Sequence, residues 1–110
     1  MDNLPARIKD VIAELRRGLQ DLYGERFRDL LLYGSYARGE ADEGSDVDLL
    51  LLLEGPVNPV KEIVRMEPVT WPLSLDSELL LSVMPVNFQD FQTSRTSFLS
   101  TVRKEAIPAA

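Results

Sequence analysis

Five consecutive leucines, Leu49 to Leu53, sit between Gly44-Ser45 and Gly55-Pro56. This run constrains the fold more than any other feature. It is too short for a buried helix and far short of the roughly 20 apolar residues that a membrane span needs. Its brevity and its glycine and proline flanks predict a strand over Asp46 to Glu54, although leucine is not β-branched. At 110 residues the chain is long enough for one hydrophobic core and too short for two. A single domain over residues 1–110 is therefore expected.

The other elements are read around that strand. Leu4, Ile8, Val11, Ile12, Leu15, Leu19 and Leu22 recur at three- and four-residue steps and predict an amphipathic helix of about five turns. Gly24 is placed to stop it. Arg28 to Tyr33 reads as a short strand ending at Gly34, Ser35 to Gly39 as a turn or helix start, and Glu40 to Ser45 as an acidic loop. A helix is expected over Pro59 to Met66, with Pro68 and Pro72 breaking or kinking the chain beyond it. Glu78 to Val86 reads as a third strand, with Pro85 near its end, and Phe98, Leu99 and Val102 mark a last helix before a Pro-Ala-Ala tail. The expected fold class is α/β (α+β): a small, three-stranded mixed sheet with helices packed mostly on one face.

Composition narrows the chemistry. There is no cysteine and no histidine, which removes disulfides, thiolate metal sites and imidazole as base or ligand. Asp, Glu, Ser, Tyr and Lys remain. The net charge of −6, from 12 Lys and Arg against 18 Asp and Glu, speaks against a nucleic-acid backbone as the main partner. It is compatible with a site that gathers divalent cations. Met1-Asp2-Asn3-Leu4-Pro5 lacks a basic stretch followed by an apolar one, so a cytoplasmic protein without a membrane span is expected.

Two short segments carry the chemistry: Leu31-Leu32-Tyr33-Gly34-Ser35-Tyr36-Ala37-Arg38-Gly39 and Ser45-Asp46-Val47-Asp48-Leu49-Leu50. A strand that ends in Gly34-Ser35 and turns into a helix offers free N–H groups, a hydroxyl and room for close approach. Those are the requirements of a phosphate cradle. Asp46 and Asp48 stand two apart on a strand, so both carboxylates point to one face while Val47 faces the core. Two carboxylates held that close repel unless a cation lies between them. Such oxygen ligands suit magnesium or manganese better than zinc, and a two-metal clamp with ions roughly 4 Å apart would serve an in-line displacement at phosphorus.

The blander alternatives are concrete. Asp46 and Asp48 can be polar residues opening a strand, Ser35 a helix cap and Arg38 a solvated surface arginine. Tyr33 and Tyr36 flank the turn, where packing competes with stacking on a base. Gly34 and Gly39 do not form a P-loop, because no Lys-Ser/Thr comes after them. Nor is Asp42 to Glu54 a calcium loop, since Val47 stands where the tight-turn glycine belongs.

Gly34-Ser35, ten intervening residues and then Asp46-Val47-Asp48 resemble the signature of the DNA polymerase beta-like nucleotidyltransferase superfamily. With Arg38-Gly39 and Ser45, the chain looks most like its minimal, single-domain branch, whose members often serve as antitoxins beside HEPN-family proteins. The resemblance implies a nucleotidyltransferase fold and magnesium- or manganese-dependent transfer of a nucleoside monophosphate, AMP from ATP, to a hydroxyl of a helical HEPN-type partner. It implies that Gly34, Ser35 and Arg38 bind the nucleotide and that Asp46 and Asp48 are catalytic metal ligands. Members usually carry a third carboxylate on a neighbouring strand. Glu78 matches best, with Asp76 second, and both depart from the usual pattern. That departure keeps a second reading open, a binding module that neutralises a HEPN toxin by contact. A third is an aminoglycoside-type subunit acting on a small molecule.

Overall fold

The computed structural model describes residues 4–109. The first helix, α1, spans Ala6–Tyr23 and buries Ile8, Ile12, Leu15, Leu19 and Tyr23 along one stripe. Leu22, expected on that stripe, is exposed, and Tyr23 takes the inward position one residue later. Gly24 ends the helix at φ 55°, its N–H bonded to the carbonyl of Gln20.

Beyond it the chain forms four strands: β1 (Phe27–Tyr33), β2 (Val47–Leu53), β3 (Leu81–Asn87) and a two-residue β4 (Ile107–Pro108). Their order in the sheet is β3-β2-β1-β4. β1 is antiparallel to β2 and β4, while β2 and β3 run parallel. The sheet is thus mixed, as expected, but has a fourth strand. β4 is legible only through its pairing, because two residues have no periodicity.

Helices cover both faces, not mostly one. Leu49, Leu51 and Leu53 join Leu30 and Leu32 in a core roofed by α1 and by α3 (Pro59–Ser77). Leu50 and Leu52 pack on the opposite side with Phe88 and Phe91 of α4 (Phe88–Thr93) and with Leu99 and Val102 of α5 (Ser97–Glu105). The unbroken leucine run now has its reason: a strand buried on both faces needs apolar residues at every position. Each buried leucine contributes roughly 2 kcal/mol, against roughly 0.5 kcal/mol for an exposed ion pair.

The largest departure is α3, which runs straight through Pro68 and Pro72. Met66 is buried, and Val69 and Leu73 pack behind it on the core. Both prolines lie on the exposed outer face, so the carbonyls their missing N–H groups leave unpaired can bond water. Asn58 caps the start, accepting from the Lys61 N–H at 3.2 Å, with Pro59 in the first turn where proline is tolerated. Gly18 lets the two helices meet closely, since a Cβ there would lie 2.6 Å from Cγ1 of Val69. Glu62, buried on the inner face of α3, accepts from the Tyr23 hydroxyl at 3.0 Å and pairs with Arg26 and Arg65. Burial, then that hydrogen bond to Glu62, pushes the Tyr23 phenol up to about 12.

The third strand starts later than expected. Glu78 is not its first residue but the C-cap of α3, at φ 60° and ψ 22°, and Asp76 lies inside the helix. The Ser77 hydroxyl donates to the carbonyl of Leu73 and accepts from the Leu79 N–H, closing the helix before the chain extends.

Candidate active site

The antiparallel register of β1 and β2 makes Tyr33 and Asp48 partners. The end of β1 therefore lies beside the start of β2, and the Gly34-Ser35 turn meets Asp48. Gly34 adopts φ 76° and ψ −155°, a backbone state reserved for glycine. It is also the point of closest approach, because a Cβ built there would collide with Oδ2 of Asp48. The carboxylate lies directly against the turn.

Val47 is fully buried in the α1/α3 core. Asp48 alternates to the other side, the side of Leu50, Leu52 and α5, and Asp46 has the same parity one residue before the strand. Their charges feel each other. Burial, and then the negative charge of Asp46, raise the Asp48 carboxyl above its usual range, with Arg38 opposing and Glu105 adding to the effect. Tyr33 is also raised, first by burial and then by Asp48 and Glu105.

Ser35 opens α2 (Ser35–Arg38). The cap position belongs to Gly34, and no side chain caps this helix. The Ser35 hydroxyl is thus not spent as an N-cap. Arg38 is exposed and held by two carboxylates, Nε to Glu40 at 2.8 Å and Nη1 to Glu105 at 3.2 Å. Ser45 shapes the loop ahead of the aspartates: its hydroxyl accepts from the Asp42 N–H at 2.9 Å, and Asp42 Oδ1 accepts from the Gly44 N–H at 2.9 Å. Asp42 is a turn residue.

Glu78 faces a cleft of about 660 Å³ shared with Tyr36, Asp42 and Glu43. Among the described residues, no group of three acidic side chains is gathered as a metal cage. On β3, Ser82 is the register partner of Asp48, and Leu81–Asn87 includes no carboxylate. Glu105, which no sequence signal singled out, is the acid besides Asp46 whose charge raises Asp48.

These residues suit a hard divalent cation. Asp46 and Asp48 make no ion pair among the described residues, and the charge of Arg38 only partly offsets the repulsion at Asp48, whose carboxyl stays raised. Magnesium is commonly held by one or two carboxylates, with water and substrate phosphate completing its shell, and Asp46 and Asp48 are donors of that kind.

The family described as "Nucleotidyltransferase domain" matches residues 12–97. A Methanocaldococcus jannaschii protein named "Putative protein adenylyltransferase MJ0141" is 30% identical over 91% of this chain and 96% of its own length. A crystal structure of a toxin–antitoxin with AMP-PNP superposes with a TM-score of 0.64 at 14% identity, covering 90% of this chain and 72% of that one. A mutant of the toxin–antitoxin MntA-HpeT gives the same TM-score and coverage at 12% identity. At such identities the structural likeness establishes the fold.

Proposed function

The chain belongs to the nucleotidyltransferase domain family of enzymes, and on that premise we propose that it transfers a nucleoside monophosphate, AMP from ATP, to a hydroxyl of a helical HEPN-type protein, which it serves as antitoxin. The observation that carries the reading is the Asp48 carboxylate seated against Gly34, with Asp46 beside it. In this reading residues 1–110 act as a single minimal domain in the cytoplasm.

Asp46 and Asp48 would hold magnesium or manganese, which when bound offsets phosphate charge and lowers the barrier to displacement. The Gly34-Ser35 turn and the Ser35 hydroxyl hold the β- and γ-phosphates, and Arg38 approaches them from the end of α2. The acceptor oxygen attacks the α-phosphorus, a new P–O bond forms as the α–β bridge breaks, and pyrophosphate leaves with its electron pair. The hydroxyl proton passes to a carboxylate or to water. The ligand role expected of Glu78 is not part of this reading, because its helix cap holds it off the strand beside Asp48.

The choice of ATP and a protein acceptor is supported by the relative named for protein adenylyltransfer and by the AMP-PNP complex. A second reading, neutralisation of the partner by contact alone, is favoured by the lack of a carboxylate on β3 beside Asp48. Incubation with magnesium, each labelled nucleotide and the helical product of a neighbouring gene, followed by intact-mass measurement, separates the two. An AMP adduct on the partner is expected. A stable complex without an adduct selects the contact reading, and label on a small molecule would select an aminoglycoside-type activity.

A further inference from the structure

Glu105 is the last residue of α5, yet its side chain ends in the Gly34-Ser35 turn. Its Oε1 accepts from the Gly34 N–H at 3.1 Å, and its carboxylate pairs with Nη1 of Arg38 at 3.2 Å. Its placement is built in. The Ala106 N–H bonds back to the Val102 carbonyl, and β4 then pins the chain to β1 through Ile107 and Leu32. One acidic side chain thus occupies both a backbone donor and a guanidinium that the nucleotidyltransferase reading gives to the triphosphate.

The charges around the turn are unbalanced. Asp48, Glu40 and Glu105 bring negative charge to it, Asp46 adds to the field at Asp48, and Arg38, which opposes them, is already shared between Glu40 and Glu105. A bare triphosphate reaching Gly34 meets a carboxylate where it needs a donor.

We propose that Glu105 is a positioning residue that makes nucleotide binding depend on a divalent cation: it holds the Gly34 N–H and Arg38 while no nucleotide is bound, and yields them only to a triphosphate whose charge a cation has offset. The proposal rests on the reading of this turn as a nucleotide site. It deepens that reading by assigning the cation requirement to a residue outside the Asp46/Asp48 pair.

Glu105→Gln separates charge from shape, since the glutamine oxygen still accepts from the Gly34 N–H. Calorimetric titration with ATP, in magnesium and in chelator, measures the ratio of the two affinities. Wild type is expected to bind ATP only weakly without the cation. Removing one charge at this range is expected to strengthen cation-free binding about fivefold and to shrink the ratio accordingly, with thermal stability little changed. A merely structural role would alter stability and leave the ratio intact. An unchanged ratio in a folded Glu105→Gln chain overturns the proposal. Should circular dichroism find that variant unfolded, Glu105→Ala gives the same test of the ratio. Wild type that binds no ATP in either condition overturns the nucleotide reading itself, and this proposal with it.

Discussion

Gly34 and Asp48 constrain each other, and each substitution has a signed consequence. The raised Asp48 carboxyl means that its ionised form is less favourable in the fold than in the unfolded chain. At neutral pH that difference opposes folding, and it is relieved only when the group is protonated. Asp48→Asn is therefore expected to raise the melting temperature while abolishing magnesium-dependent ATP binding. Thermal melts with and without magnesium and ATP measure both effects. Gly34→Ala acts in the opposite direction. A left-handed backbone costs a non-glycine residue about 1–2 kcal/mol, and the new Cβ must displace the carboxylate. In a domain of this size each kcal/mol is worth about 4–8 °C, so a fall of at least about 4 °C is expected. A melting point equal to wild type would refute the close approach.

At the scale of elements, α3 shows how tertiary packing overrides propensity. Proline in a helix interior costs about 3 kcal/mol relative to alanine, and α3 holds two. Met66, Val69 and Leu73 keep it helical by packing on the core, and Tyr23 at the end of α1 and Arg26 just beyond it fasten its buried Glu62. Because Pro68 and Pro72 face solvent, exchanging either for alanine removes the helix penalty without a core cavity. Proline also restricts the unfolded chain, which offsets up to about 1 kcal/mol of that gain. A net stabilisation of about 1–2 kcal/mol per site is expected in urea unfolding. A loss of stability would mean that the prolines pack rather than merely tolerate the helix.

For the molecule as a whole, α1 and the last described residues are tied together across β1. The Arg16 guanidinium in α1 donates to the Ala109 carbonyl at 3.0 Å, and the Ala109 N–H donates to the Leu30 carbonyl at 2.9 Å. Removing residues 106–110 deletes β4, its pairing with β1 and the anchor that holds Glu105 against Gly34. The loss of these hydrogen bonds and of buried apolar surface is expected to cost about 2 kcal/mol. Hydrogen exchange should then accelerate at Leu32 and Gly34 and stay slow along β2. Uniform acceleration would show that β4 supports the whole sheet rather than one edge. No helix among the described residues is long and apolar enough to cross a membrane, which agrees with the brevity of the leucine run.

The elements with strong local signals were legible in the chain alone. The stripe from Ile8 to Leu19, the leucine run and the strand-end glycine each encode a period or a break, and such signals survive folding because they come from backbone geometry. So does the alternation that buries Val47 in the core and turns Asp48 to the other side. The features that the sequence could not decide depended on partners far along the chain. The passage of α3 through two prolines depends on which face the core occupies, and the position of Glu78 depends on where that helix stops. The second helical layer needs both faces of β2, and β4 exists only as an addition to β1. Glu105 meets Gly34 solely because the sheet folds α5 back onto the turn. Local geometry is a property of neighbouring residues, whereas such contacts require the closure of long loops, and only the assembled core compensates for that entropy.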